Sequence, residues 1–229
     1  MTLEVVQHTS AEFLGQMEDH LEGRNVRFRY CRPFTGKAPL PKAEQLDDGL
    51  VLLGGGPWGS AGGRDVPSLE AEVALARAAL ERKIPVLGIG LGAQILAIAA
   101  GGTAEPTALE FSVSTAARTG EAALDGYLPA EYPVAIYMRD WPVPPAHAQI
   151  HARDARGRAV LWQIGDRALG FAAHPGLKVA MVEDLIMEFE ESPPDIDAGL
   201  VQLRTVQRSI EDALVPLMAG VVHLMGWMR

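Results

Sequence analysis

The chain has 229 residues, a formal net charge of −9 and one cysteine, and 48% of its residues are hydrophobic. This length predicts one globular domain, with room for an appendage, that folds without a disulfide or a structural metal. The acidic charge and the lack of lysine- and arginine-rich runs exclude a nucleic-acid partner. The lone cysteine and the lack of a visible signal sequence predict a cytoplasmic protein.

Short apolar runs and helical patterns alternate through the first hundred residues, which is typical of an α/β fold with a parallel sheet covered by helices. The predicted strands are 3–7, 26–31, 49–53 and 84–89, and the predicted helices are 11–21, 69–80 and one from Leu91 to the Gly101-Gly102 pair. Residues 103–167 form an irregular region with short strand-like pieces. A last strand at 168–173 and a helix at 179–189 follow it.

The segment after residue 190 carries an apolar stripe at steps of three and four residues, about four heptads long. We expect a helical extension over 191–229, beside a main domain of residues 1–190, with a kink or a new helix start at Pro216. The apolar run over 213–228 is too short to span a membrane, which takes about 20 residues. The stripe consists of Leu200, Leu203, Gln207, Ile210, Leu214, Leu217, Val221, Leu224 and Met228.

The most informative segment is the predicted strand 84–89 and the helix after it. A sharp strand-to-helix turn presents its residue at the carboxyl edge of the sheet, where backbone N–H groups and the helix dipole favour an anion. Such an elbow usually holds a nucleophile. Here Gly88, Gly92 and Gln94 match the elbow G-x-C-x-G-x-Q of the class I glutamine amidotransferases, which the chain resembles, but Gly90 occupies the position of the catalytic cysteine.

The resemblance to this family extends over about residues 3–190. Gly55 and Gly56, before Pro57, look like the family's oxyanion loop. The resemblance implies that the backbone N–H of this loop faces the substrate carbonyl, together with the N–H of Leu91. It also implies a flavodoxin-like, doubly wound, mostly parallel sheet with helices on both faces.

Two further segments resemble the family. GFAAHPG is similar to G-x-x-x-H-P-E, with His174 in the place of the catalytic base and Gly176 in the place of the glutamate that orients it. YMRD is similar to W-H-G-D, of which Asp140 is retained. The resemblance therefore implies that Asp140, Gln94 and the oxyanion loop contact a glutamine-like ligand.

The departures from the family pattern predict that glutaminase activity is absent. The reaction needs a thiolate, a base and a carboxylate that holds the base, and glycine at positions 90 and 176 leaves two of these roles empty. In a comparable hydrolase triad, loss of the nucleophile alone costs on the order of 10⁶ in turnover. We therefore expect a noncatalytic or regulatory subunit of a partner enzyme, with no cofactor and no metal. The C-terminal stripe packs on its own domain or forms an interface with that partner or a second copy.

Other functions stay open at this stage. The pocket is also compatible with another reaction on a glutamyl ligand, with His174 or Asp140 as acid–base group, or with a glutamine sensor that lacks turnover. A dinucleotide site is a further alternative, because Gly88, Gly90 and Ala93 match G-x-G-x-x-G/A and Glu110 follows at a suitable distance for a ribose contact.

Three residue types are discounted as site residues. His147 and His151 have a metal-ligand spacing only on a helix, whereas a strand is predicted there, so a surface or core role is favoured. Cys31 ends a predicted strand without a nearby histidine in sequence, which predicts a buried structural thiol. Trp58, inside the oxyanion loop, either caps the pocket or packs in the interior.

Overall fold

The computed structural model describes residues 1–36 and 39–227, and a mixed β-sheet forms its centre. The strands are Thr2–Val6 (β1), Arg27–Cys31 (β2), Leu50–Leu52 (β3), Val86–Ile89 (β4), Thr103–Glu105 (β5), Glu110–Arg118 (β6), Glu131–Met138 (β7), Trp141–Val143 (β8), Gln149–Asp154 (β9), Ala159–Ile164 (β10) and Ala168–Phe171 (β11). The helices are Met17–Glu22 (α1), Leu69–Glu81 (α2), Leu91–Ala99 (α3), Val179–Glu188 (α4) and Ile196–Leu224 (α5).

Nine strands form one sheet in the order β2-β1-β3-β4-β11-β10-β9-β6-β7, and β5 pairs with β8 outside it. The first five strands of this order are parallel, and the remaining pairings are antiparallel. Side chains alternate between the faces: Val51 of β3 joins the core under α1 and α5, whereas Leu50 and Leu52 join the core under α2 and α3. The predicted α/β fold is confirmed.

The predicted helix over 11–21 is wrong in its first half, because α1 begins only at Met17. Residues 7–16 instead form a loop that passes the end of β11. The amide of Gln16 donates to the carbonyl oxygen of Gly176 at 3.1 Å, and Gly15 has a φ of 62°. A Cβ at Gly15 would overlap that carbonyl oxygen. The close approach of two backbones therefore requires a glycine here and replaces the first helical turns.

The C-terminal stripe lies on α5 and is covered by the protein's own domain. Leu203 and Val221 are fully buried, and Leu214 and Leu217 belong to the same core cluster as Val134 and Ile136 of β7. The helix continues through Pro216, so of the two alternatives predicted there the new helix start is wrong and the kink stays a prediction. Met228 lies outside the described residues. The stripe therefore stabilises the domain itself and does not supply a free interface.

The region expected to be irregular, 103–167, contains six of the strands. Most residues of β6 are only half-buried, so the strand lacks the apolar alternation that identifies a strand in sequence. Across the parts of the chain that the structure describes, no helix combines the length and the apolar character needed to cross a membrane.

Candidate functional site

The elbow between β4 and α3 keeps its sharp turn around Gly90. This residue has φ 57° and ψ −115°, a conformation that glycine adopts freely and other residues rarely do. A Cβ built on Gly90 would lie 3.3 Å from the Cα of Gly54, and among the described residues no other atom outside its immediate chain neighbours comes within 4 Å. The place predicted for the family's thiol is therefore narrow on the side of Gly54, and glycine offers no reactive group there.

The oxyanion loop lies opposite this elbow, after β3. Gly56 has a φ of 55°, and its amide donates a hydrogen bond to the side-chain carboxylate of Glu12. The amide of Leu91 is the first of α3 and has no acceptor within the helix. One amide of the predicted oxyanion loop is therefore already engaged by the protein's own carboxylate.

Glu12 is the residue of this site that the sequence did not reveal. It is buried, and burial raises the pKa of its carboxyl to about 7 against the opposing effect of the Gly56 hydrogen bond. The 7–16 loop is held in place around it, because the amides of Ser10 and Ala11 each donate to the Glu188 carboxylate at 3.0 Å. The only signal in the sequence is a lone glutamate in a segment with a helical pattern, and this signal points to a helix surface instead.

His174 has partners at both ring nitrogens. Its Nε2 lies 2.7 Å from the carbonyl oxygen of Phe13, and the amide of Gly176 donates to its Nδ1 at 3.1 Å. These partners assign the proton to Nε2. Burial lowers the pKa of the imidazole to about 4, so the ring is neutral at pH 7. His174 therefore connects β11 to the 7–16 loop.

The place of the triad glutamate is filled by neighbouring atoms. A Cβ on Gly176 would lie 2.8 Å from the carbonyl oxygen of Leu14, 2.9 Å from Cγ of Met17 and 3.0 Å from the amide of Met17. Atoms at these distances are too close for any side chain without movement of the backbone. The glycine at position 176, the predicted place of the triad glutamate, is therefore a packing requirement of this structure.

Asp140 and Gln94 hold the oxyanion loop. The Asp140 carboxylate accepts the amides of Ser60 and Ala61 at 2.9 and 3.0 Å and that of Thr107 at 3.2 Å. Gln94 accepts the Ser60 hydroxyl at 2.6 Å and donates to the Arg139 carbonyl at 2.7 Å. Both side chains have their hydrogen-bonding groups engaged by the protein, and their predicted role in ligand binding stays a prediction.

A cluster of charged and aromatic side chains covers the outer side of the loop. Glu191 pairs with Arg139 and, at 2.5 Å, with Arg64, whose guanidinium lies 4.8 Å from the centre of the Trp58 ring. Partial burial works against ionisation of Glu191, but the two guanidinium groups outweigh it and lower the pKa of this carboxyl. Trp58 therefore packs under an arginine at the edge of the loop.

The remaining candidates have structural partners. Cys31 is buried, as predicted, and burial raises the pKa of its thiol. His151 is a core residue that accepts the amide of Leu124 at 3.1 Å. Glu110 pairs with Arg158 at 3.1 Å. Within 1–36 and 39–227, no group of three or more histidine, cysteine, aspartate and glutamate side chains is arranged to hold a metal ion.

Comparison with protein families assigns the chain. The model of the class I glutamine amidotransferases matches residues 23–143, more than half of the sequence. The chain belongs to this family. The match confirms the resemblance carried by the elbow and the oxyanion loop, and it gives no support to the dinucleotide-binding alternative. Comparison with curated proteins gives no significant match.

Solved structures of glutamine amidotransferases share the fold at low sequence identity. A glutamine amidotransferase from Thermotoga maritima has a TM-score of 0.81 at 22% identity and covers 98% of both chains. A glutamine amidotransferase from Methylobacillus flagellatus has a TM-score of 0.75 at 22% identity, over 96% of this chain and 94% of its own. A putative GMP synthase subunit from Thermoplasma acidophilum has a TM-score of 0.57 at 19% identity, over 91% and 98%.

Proposed function

We propose that this member of the class I glutamine amidotransferase family does not hydrolyse glutamine and acts as a noncatalytic subunit of a partner enzyme. The proposal depends on Gly90. The elbow retains its turn at a positive φ, but glycine has no side chain that could act as a nucleophile. Without a thiolate no thioester can form, whatever else of the site is retained.

The contacts around the elbow support the loss of hydrolysis. Glu12 occupies the Gly56 amide, so a substrate oxygen would have to displace a carboxylate that belongs to the chain. The Nε2–H group of His174 donates a hydrogen bond to the carbonyl oxygen of Phe13. The base and one oxyanion donor of the family are thus both used to hold the 7–16 loop.

A surface of α4 and α5 supports the role as a subunit. Met187 on α4 is 77% exposed and Val201 on α5 is 59% exposed. Glu183 and Arg204 pair across the two helices at 2.5 Å, and Met187 and Val201 lie one turn from these residues on the same helix faces. A contiguous exposed apolar patch marks a partner interface, and we infer that these two side chains belong to one. The relative described as a GMP synthase subunit shows that this fold occurs within larger assemblies.

Hydrolysis is tested by incubating the purified protein with glutamine and following ammonia. We expect no ammonia above the blank without protein. Ammonia that is released by the wild type and lost in His174→Ala would overturn the proposal and favour an enzyme with His174 as acid–base group.

The subunit role is tested by purifying the tagged protein from its native host and measuring the mass of the complex. We expect a second protein at a fixed ratio, with reduced recovery when Met187→Glu and Val201→Glu are combined. Val143→Glu, at an exposed apolar residue on β8, is the matched control and should leave recovery unchanged. A monomeric mass without a partner would contradict the subunit role and leave the result on hydrolysis untouched.

A further inference from the structure

A second concave site lies at the carboxyl edge of the sheet. It is a cavity of about 350 Å³, which is within the size range of small-molecule sites. Among the described residues that line it, Trp58 of the oxyanion loop is shared with the segments that resemble the family, and the positions that resemble the triad do not line it. The lining residues that matter here are His8, Pro33, Phe34, Trp58, Pro67 and Ser68, and we name the site the switch-point cavity.

The position of this cavity follows from the order of the strands. β1 lies between β2 and β3, and the chain leaves β1 toward the face covered by α1 but leaves β3 toward the face covered by α2. The crevice between two such strands is the topological switch point, where open α/β sheets bind ligands. His8 follows β1 and Trp58 follows β3, so the cavity opens at that crevice.

Flat apolar rings form the walls of the switch-point cavity. Phe34 and Trp58 contribute aromatic rings, and Pro33 and Pro67 contribute pyrrolidine rings. Phe34 remains 45% exposed, although a ring of this size gains free energy when it is covered. Aromatic rings prefer offset-stacked or edge-to-face contacts with another ring. The walls therefore favour a planar occupant.

The polar side chains at the inner end of the cavity form a closed, charge-compensated set. His8 Nε2 lies 2.7 Å from Oε2 of Glu72, and His8 Nδ1 lies 3.0 Å from the carbonyl oxygen of Gly54. Both partners are acceptors, so His8 carries both ring protons and its positive charge is paired with Glu72. The Ser68 hydroxyl donates to Oε1 of Glu72 at 2.5 Å. The Ser68 oxygen keeps a lone pair for a donor, and none of the described residues that line the cavity carries an unpaired charge.

We propose that the switch-point cavity binds an uncharged planar aromatic or heteroaromatic ring that packs against Phe34 and Trp58 and donates a hydrogen bond to the Ser68 hydroxyl oxygen. The size of the cavity suits a molecule of one or two rings. The compensated charge of His8 and Glu72 excludes a preference for an anionic or cationic ring. This inference does not rest on the proposed loss of glutamine hydrolysis or on the subunit role.

The test uses three probes on the full chain labelled with ¹⁵N: indole, N-methylindole, which lacks the donor, and cyclohexanol, which is apolar and not planar. The indole N–H resonance of Trp58 is identified by its loss in Trp58→Phe. We expect indole to shift this resonance saturably in the millimolar range, N-methylindole to bind more weakly, and cyclohexanol not to saturate.

Two variants make the assignment specific. Phe34→Ala should weaken indole binding by about tenfold, because one aromatic contact is lost at an exposed side chain that the fold does not need. Tyr127→Ala, at an exposed aromatic residue outside the cavity, is the matched control and should leave binding unchanged. Absence of saturation by indole, equal binding of cyclohexanol or no effect of Phe34→Ala would overturn the proposal. Equal binding of N-methylindole would overturn the contact with Ser68.

Discussion

The Nε2 atom of His174 lies 2.7 Å from the carbonyl oxygen of Phe13. A general base must accept a proton at a free ring nitrogen. The Nε2 atom of His174 already carries a proton and uses it in a hydrogen bond to the carbonyl oxygen of Phe13 in the 7–16 loop. The histidine that resembles the family's base is thus a structural bridge. Restoring the thiol would therefore not by itself restore the reaction.

Gly90→Cys tests this conclusion. The new Cβ would lie 3.3 Å from the Cα of Gly54, which is a tight contact, and together with the positive φ of the elbow this should lower the free energy of unfolding by about 1–2 kcal/mol. We expect a folded protein that reacts with a thiol reagent and releases no ammonia from glutamine. Alkylation is measured by intact mass, and the unmodified wild type serves as control. Ammonia release by this variant would show that His174 can leave Phe13.

Gly176→Ala should destabilise the protein. Its Cβ would meet the Leu14 carbonyl oxygen and Met17 within 3.0 Å, and overpacking of this kind costs about 2 kcal/mol. Gly120→Ala is the matched control, because no atom lies within 4 Å of the Cβ built there. Urea denaturation measures both variants. Equal midpoints for the two variants would mean that the 7–16 loop yields to a side chain at position 176.

Glu12→Gln should change how stability depends on pH. The pKa of Glu12 rises from 4.5 to about 7 on folding, so the folded state holds this proton more tightly than the unfolded state. The free energy of unfolding of the wild type therefore carries a contribution that is full below pH 4.5 and is lost as pH rises to about 7. This loss amounts to about 3 kcal/mol. The side-chain oxygen of the glutamine can still accept the hydrogen bond from the Gly56 amide, but the side chain no longer binds or releases a proton with pH. Denaturation at a series of pH values, with the variant subtracted from the wild type, measures the contribution, and a flat difference would contradict it.

His174 contributes in the opposite direction over the same range. Burial lowers the pKa of its imidazole from 6.5 to about 4, so its contribution is full above pH 6.5 and is lost as pH falls toward 4. In the wild type the effects of Glu12 and His174 offset each other. With Glu12→Gln the effect of His174 remains, and we expect this variant to lose stability on acidification. Glu12→Gln combined with His174→Gln should lose this dependence, and its persistence would assign the acid sensitivity to other groups.

Asp140→Asn should destabilise the oxyanion loop by about 2 kcal/mol. The carboxylate accepts three backbone amides, whereas the asparagine side chain has one oxygen and presents donors to part of this set. The φ of residue 140 is 59°, which asparagine tolerates as well as aspartate does, so backbone strain does not enter the comparison. Thermal unfolding measures the loss, and hydrogen exchange at Ser60 and Ala61 localises it. Unchanged exchange at these amides would contradict the role assigned to Asp140.

The sequence predicted the parallel half of the sheet and the elbow, because buried strands such as β4 are continuous apolar runs and the elbow carries its glycines at fixed spacing. It did not predict the 7–16 loop, since the apolar residues of that segment also fit a helix and the reason for the loop is the distant backbone of Gly176. Glu12 was missed for the same reason. Its burial depends on its own hydrogen bond with Gly56 and on the hydrogen bond that holds Ala11 to Glu188, and both partners are far away in sequence.

The hydrogen bond between Glu12 and Gly56 has a consequence for ligand affinity. A carboxylate on a short loop is present at the Gly56 amide at an effective concentration in the millimolar range or above. Any outside molecule that binds this amide competes with Glu12, so its apparent affinity equals the intrinsic affinity multiplied by the fraction of time that the amide is free of Glu12. In the wild type the carboxylate of Glu12 already occupies the Gly56 amide. The intrinsic affinity of this amide for a ligand is therefore measured by titrating a variant in which the Glu12 side chain is shortened.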